Sequence, residues 1–186
     1  PSIDMLGYIW TYSTAELNEI SVSSPSVQRV DLPAPWLNGR SAKAVRVSAG
    51  GNRIAALVSD QAGGSMVLVA GIVRNGDGTP VGFTENANTQ MWDTGAPIDL
   101  DWISDSRFVL LSETGLLGSS AKVTIGEVSG RFPADSGNIS GGVSISGGGS
   151  SRSLLRVLDD QQRMFAPQGS GWQQLMKDVD LVAKVG

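Results

Sequence analysis

Neither cysteine nor histidine occurs in the 186-residue chain. The first absence removes the thiolate nucleophile, the disulfide framework and iron–sulfur ligation. The second removes the imidazole general base, the histidine zinc ligand and the histidine pH switch. Most familiar catalytic and metal-binding chemistry is thereby excluded, and neither a cofactor nor a metal is expected. Positive charge is also scarce: 14 Lys and Arg against 18 Asp and Glu leave a formal charge of −4. That balance offers a polyanion nothing to neutralise and argues against nucleic acid or a polybasic membrane contact. The longest nearly apolar run, Met66 to Val73, is far short of the roughly 20 residues that a membrane-spanning helix needs. A chain of this length is about one domain and buries about 70% of its unfolded surface, so its core needs no metal or disulfide staple.

Long helical patterns are missing too. Short segments rich in Val, Ile, Leu and Trp are cut apart by Gly, Ser, Asn, Asp and Pro, which is the pattern of strands and hairpins. Only Thr14 to Ile20 has the composition of a helical turn, and its apolar spacing is too short to sustain an amphipathic helix, so it reads as a hairpin loop.

One unit recurs three times: an alternating strand ending in Ser, a polar turn, an Arg, then a more continuous apolar strand. Val45 to Ser48 leads to Arg53 through Val58, Leu100 to Ser104 leads to Arg107 through Leu111, and Val143 to Ser146 leads to Arg152 through Leu155. The recurring Ser spacings, 56 and 42 residues, bracket the size of a four-stranded propeller blade, about 40 to 50 residues. Two further strands follow each unit. After the first, Met66 to Val73 and Val81 to Thr84 flank Asn75-Gly76-Asp77-Gly78, whose Asn-Gly and Asp-Gly pairs supply positive φ for a hairpin. The second continues with Ala121 to Val128 and a short strand near Arg131, the third with Arg163 to Ala166 and Trp172 to Met176.

The expected fold is all-β: a β-propeller, or a fragment of one, of about four four-stranded antiparallel blades. It forms a single domain over 1–186, with blades at approximately 44–84, 98–133 and 142–176. Segments 6–24 and 179–185 contribute to a further blade, either closing a ring or marking the ends of an arc. Val47, Ile54, Leu57, Trp102, Phe108, Val109, Leu110, Ile145 and Leu155 are the expected core.

Candidate chemistry is thin. Asp159-Asp160, Asp99 with Asp101, and Asp178 with Asp180 are the close carboxylate groupings, and glycoside hydrolysis needs two carboxyl groups about 5 to 9.5 Å apart in a cleft. Asp99 and Asp101 alternate with Leu100 and Trp102, placing them on a sheet face opposite the core. All these carboxylates read as solvated turn or sheet-face groups. Ser119-Ser120-Ala121-Lys122 has the Ser-x-x-Lys spacing but opens a strand, where i and i+3 face opposite sides. Asn75 to Gly78 lacks the rest of a calcium loop. Gly147-Gly148-Gly149 has no phosphate-loop ending and reads as flexible turn. Asn138-Ile139-Ser140 fits the glycosylation pattern and is assigned no role.

Five Trp stand against two Tyr and four Phe, and an exposed Trp gives large contact area at low entropic cost. Trp10 and Trp102 fall in strands and belong to the core. Trp36, after Pro33-Ala34-Pro35, and Trp92, within Glu85 to Pro97, fall in connections. These two are the candidate partner-binding residues.

Several segments together resemble the C-terminal β-propeller region of LpqB-type actinobacterial lipoproteins. They are Ile9 to Tyr12, Ala44 to Ala55, Leu100 to Asp105, Met164-Phe165-Ala166 with Gly171-Trp172, and, most specific, Val69 to Pro80 with its Val-Arg-x-Gly-Asp-Gly-x-Pro core. Gly50 stands where the family usually has Asp. The resemblance implies an extracytoplasmic protein, anchored to the cell membrane through an N-terminal lipidated Cys and carrying a GerMN domain before the propeller, neither of which is in this chain. It further implies an accessory role beside the MtrA–MtrB two-component system, with contact to the external domain of the sensor histidine kinase and influence on cell-wall homeostasis and division. No family catalytic residues carry over. The expected function is therefore a non-catalytic interaction domain, this chain being a soluble fragment whose membrane contact is the absent anchor alone. The alternative is a propeller that binds or hydrolyses cell-wall glycan through Trp36, Trp92 or an Asp pair.

Overall fold

A computed structural model of the chain describes residues 2–13, 19–59, 65–84, 88–91, 96–114, 120–130, 134–147 and 151–180. They form four antiparallel sheets. Strands β1 (Ser2–Ile3), β2 (Ile9–Tyr12), β3 (Glu19–Ser24) and β4 (Val27–Pro33) make the first, and β5 (Ala42–Val47), β6 (Arg53–Ser59), β7 (Ser65–Arg74) and β8 (Pro80–Phe83) make the second. Strand β9 (Asn88–Met91) pairs with the first half of the long β7. The third sheet is β10 (Ala96–Ser104), β11 (Arg107–Thr114), β12 (Ser120–Glu127) and β13 (Ala134–Ser140), and the fourth is β14 (Gly142–Ser146), β15 (Arg156–Asp159), β16 (Met164–Gln168) and β17 (Gly171–Met176). In each sheet the four strands pair in chain order, the up-and-down meander of a propeller blade. The chain is all-β and of the β-propeller class, as the repeats predict.

The sheets fall into two compact units, the first two within Pro1–Met91 and the last two within Trp92–Val185. In the first unit Trp10, Ile20, Val22, Val45, Val47, Ile54 and Val58 pack with Trp36 and Leu37, supported by Phe83 and Ile72. In the second, Val109, Leu111, Val123 and Ile125 pack with Ile145, Leu155 and Val157, supported by Phe165 and Trp172. Alternate faces of each strand point to opposite sides, yet Met66 through Ala70 of β7 are all buried, which is why that strand reads as a continuous apolar run. All nine residues expected in the core are buried.

The repeat register holds in two copies and shifts in the third. Val47 pairs with Ile54 and Ser104 with Arg107, but Ser146 pairs with Arg156 rather than with Arg152. Arg152–Leu154 is instead a short 3-10 turn, capped by the Ser151 hydroxyl accepting from the Ser153 amide. The first sheet takes β2 and β3 from the 6–24 segment and adds a strand on either side of them. Strand β1 is two residues long, and in β4 only Leu32 is buried, so neither shows the apolar run of a strand buried on both faces. Of the Thr14 to Ile20 segment, 14–18 lie outside the described residues and Glu19 opens β3. Val179 donates its amide to the Gln162 carbonyl beyond the last strand, while 181–186 lie outside the described residues.

Candidate functional site

Three turns of the first unit, residues 4–8, 48–52 and 75–79, are gathered at one end of its two sheets by a single side chain. Arg74 closes β7 just before the hairpin turn. Its Nη2 donates to Asp4 Oδ2 at 2.7 Å and to the Gly51 carbonyl at 2.8 Å, its Nε donates to the same carbonyl at 3.1 Å, and its Nη1 donates to the Gly78 carbonyl at 2.8 Å. The guanidinium also lies over the rings of Tyr8 and Trp10, at 5.2 and 5.9 Å from their centroids. A planar fork with five donors and a weakly hydrated charge suits this work, and a lysine ammonium could not serve all these acceptors.

Asp4 is the counterpart. It is buried, and both its oxygens are filled: Oδ1 accepts from the Leu6 and Tyr8 amides, and Oδ2 accepts from Trp10 Nε1 and Arg74. A side chain bonding backbone amides two and four residues on is a turn-former, and here it bends the chain between β1 and β2. The second turn depends on glycine. Gly51 has φ +68, and a Cβ there would lie 2.7 Å from Arg74 Nη2 and 3.2 Å from Asp4 Oδ2. The turns are further tied by the Met5 amide donating to the Ala49 carbonyl and the Tyr8 hydroxyl donating to Thr79 Oγ1.

The third turn is the predicted hairpin. The Thr79 amide donates to the side-chain oxygens of Asn75 and Asp77, and the Gly78 amide to the Asn75 carbonyl. The Thr79 hydroxyl and amide hold the exposed Asp77 carboxyl below the usual carboxylate range, so it is ionised at neutral pH. Above this buried frame, Met5 is 74% and Leu6 56% exposed.

Of the carboxylates expected on solvated turns and faces, Asp160, Asp178 and Asp180 are exposed and Asp99, Asp101 and Asp159 are not. Asp99 and Asp101 are buried, because the sheet face opposite one core is covered by the neighbouring strand β14. Asp99 Oδ2 accepts from the Ile145 amide and the Ser144 hydroxyl, and Asp101 Oδ2 from the Gly147 amide. Asp159 is buried as well, accepting from Arg163 Nε and from the Gln161 and Arg163 amides, whereas Asp160 is exposed. Asp178 is exposed at φ 58, and Asp180 accepts from Gln162 Nε2. Gly147 is no loose turn: it is buried, and a Cβ there would fall 1.7 Å from the Trp102 carbonyl oxygen. Gly148 and Gly149 lie outside the described residues, as does Ser119. Lys122 pairs with Asp135 across β12 and β13 at 3.0 Å.

Of the two candidate tryptophans, Trp36 is placed in the core rather than on an exposed connection. It is 5% exposed, on a 3-10 turn whose Pro35 starts it, with its ring edge-on to Phe83 at 5.8 Å. Trp92 lies outside the described residues. Sequence reasoning passed over Asp4 and Arg74. Arg74 stood inside the most specific motif, but an Arg before a hairpin carries no signal of a buried partner 70 residues away.

Four-stranded meanders, each stapled to the next within its unit by buried polar contacts, define a β-propeller domain. The chain matches the lipoprotein LpqB beta-propeller domain over residues 1–181, and it belongs to that family. No curated protein matches it. A solved chain titled "Crystal Structure of Mitotic Checkpoint Complex" is similar over 96% of this chain and 80% of that one, with 8% identity and a TM-score of 0.40, a likeness too weak to bear on fold or function. No helix among the described residues is long and apolar enough to cross a membrane.

Proposed function

We propose that this domain is a non-catalytic, extracytoplasmic interaction module of a membrane-anchored actinobacterial lipoprotein. It contacts the external domain of an MtrB-like sensor histidine kinase and so modulates cell-wall and cell-division signalling. Membership of the LpqB propeller family supports the lipoprotein setting. The observation that carries the non-catalytic part is how the buried carboxylates are used. Asp4, Asp99, Asp101 and Asp159 each accept hydrogen bonds from backbone amides, and Asp4 and Asp159 also from an arginine. A carboxylate whose oxygens are taken up by fixed donors of the fold has none free to present to a substrate.

The test is calorimetric titration of the kinase's external domain into this chain, beside titration of cell-wall glycan fragments followed by tryptophan fluorescence. Saturable binding of the kinase domain is expected. Turnover or saturable binding of the glycan, with none of the kinase domain, overturns the reading.

A further inference from the structure

We propose that the turn between β1 and β2 is the domain's recognition element: a rigid apolar prong, Met5 and Leu6, that enters an apolar, basic-rimmed pocket on a protein partner. The proposal rests on the interaction-module reading and adds the surface that module uses. Four of the exposed large apolar side chains fall in one hairpin. Ile3 and Ile9 face each other across β1 and β2, and Met5 and Leu6 crown the turn. Contiguous exposed apolar surface of this kind marks an interaction site rather than scatter.

The prong is held before anything binds. Asp4 accepts from the Leu6 and Tyr8 amides, Met5 donates to Ala49, Gly7 donates to the Asp4 carbonyl at φ +80, and Arg74 clamps the whole from beneath. A loop already ordered loses little entropy on association, which is the condition for just two side chains to contribute usefully.

Charge selects the occupant. The three gathered turns contain Asp4 and Asp77 and no Lys or Arg. Asp4 is neutralised by Arg74, so the exposed charge of the three turns is the Asp77 carboxylate, which Thr79 keeps ionised. A surface of apolar tip and acidic edge repels an anionic lipid surface, whose binding needs basic residues, and complements a protein pocket with an apolar floor and a basic rim.

The experiment compares the chain with its Met5→Ser/Leu6→Ser and Asp77→Asn variants in titrations with the kinase's external domain and with phosphatidylglycerol vesicles. Met5, Leu6 and Asp77 are all exposed, and matched thermal unfolding of the variants checks that the fold is kept. The double variant is expected to bind the kinase domain about tenfold or more weakly, and Asp77→Asn to slow association with a reduced salt dependence. Unchanged affinity of the double variant, with the parent chain still binding, overturns the prong and leaves the interaction-module reading standing. No binding by the parent chain overturns both. Vesicle binding that the double variant loses replaces the protein partner with a membrane and overturns the proposal.

Discussion

Asp4 and Arg74, 70 residues apart in the chain, meet at 2.7 Å with their side chains 0% and 12% exposed. The pair joins the first turn of one sheet to the outer hairpin of the next. Ion pairs this well buried carry a desolvation cost that only further hydrogen bonds can offset. Here the Leu6, Tyr8 and Trp10 donors complete Asp4, and the Gly51 and Gly78 carbonyls complete Arg74.

Removing one partner leaves the other buried and uncompensated. Asp4→Ala is expected to destabilise the chain by about 3–5 kcal/mol, read from the urea midpoint. Arg74→Lys should fall between that variant and the parent, because the ammonium keeps the charge and loses the fork. A loss under about 1 kcal/mol for Asp4→Ala contradicts the account.

In the second unit the corresponding fastening runs from buried carboxylates to backbone amides. Asp99→Ala strips the Ile145 amide of its acceptor, and Asp101→Ala does the same to Gly147. Each is expected to cost about 1–3 kcal/mol, the usual cost of a buried unpaired donor. Denaturant titration checks this, and an unchanged midpoint for both places the carboxylates in solvent after all.

Asp77 titrates below its ordinary value of 3.8 because the Thr79 hydroxyl and amide favour its ionised form. A carboxyl with a depressed folded pKa stabilises the turn fully above the unfolded value and loses that contribution as pH falls through the folded one. The NMR shift of the Thr79 amide should therefore move with a midpoint below 3.8, and a midpoint at or above it refutes the turn geometry.

Strand composition made the propeller legible, and the physical reason shows in which strands were readable. Inner strands such as β6, β7 and β11 bury both faces and announce themselves as apolar runs, whereas β4, solvated but for Leu32, leaves little pattern. The repeated Ser and Arg located the hairpins until an insertion capped by Ser151 displaced the third Arg. Asp99 and Asp101 looked solvated because alternation gives the face a residue occupies, and only tertiary packing shows that β14 covers it. Trp36 misled for a related reason: a proline-rich connection suggested surface, but its 3-10 turn folds the indole against Phe83. The Arg74 cluster was the least legible, since it joins three turns distant in sequence.

The central claim is that one guanidinium holds three turns together, and amide hydrogen exchange in Arg74→Ala tests it most directly. Exchange is expected to quicken at Leu6 and Tyr8, around Gly51, and at Gly78 and Thr79 together, while the amides of Ile145 and Gly147 keep their protection. Faster exchange confined to the 75–79 hairpin would show that the turns stand independently and would contradict the account.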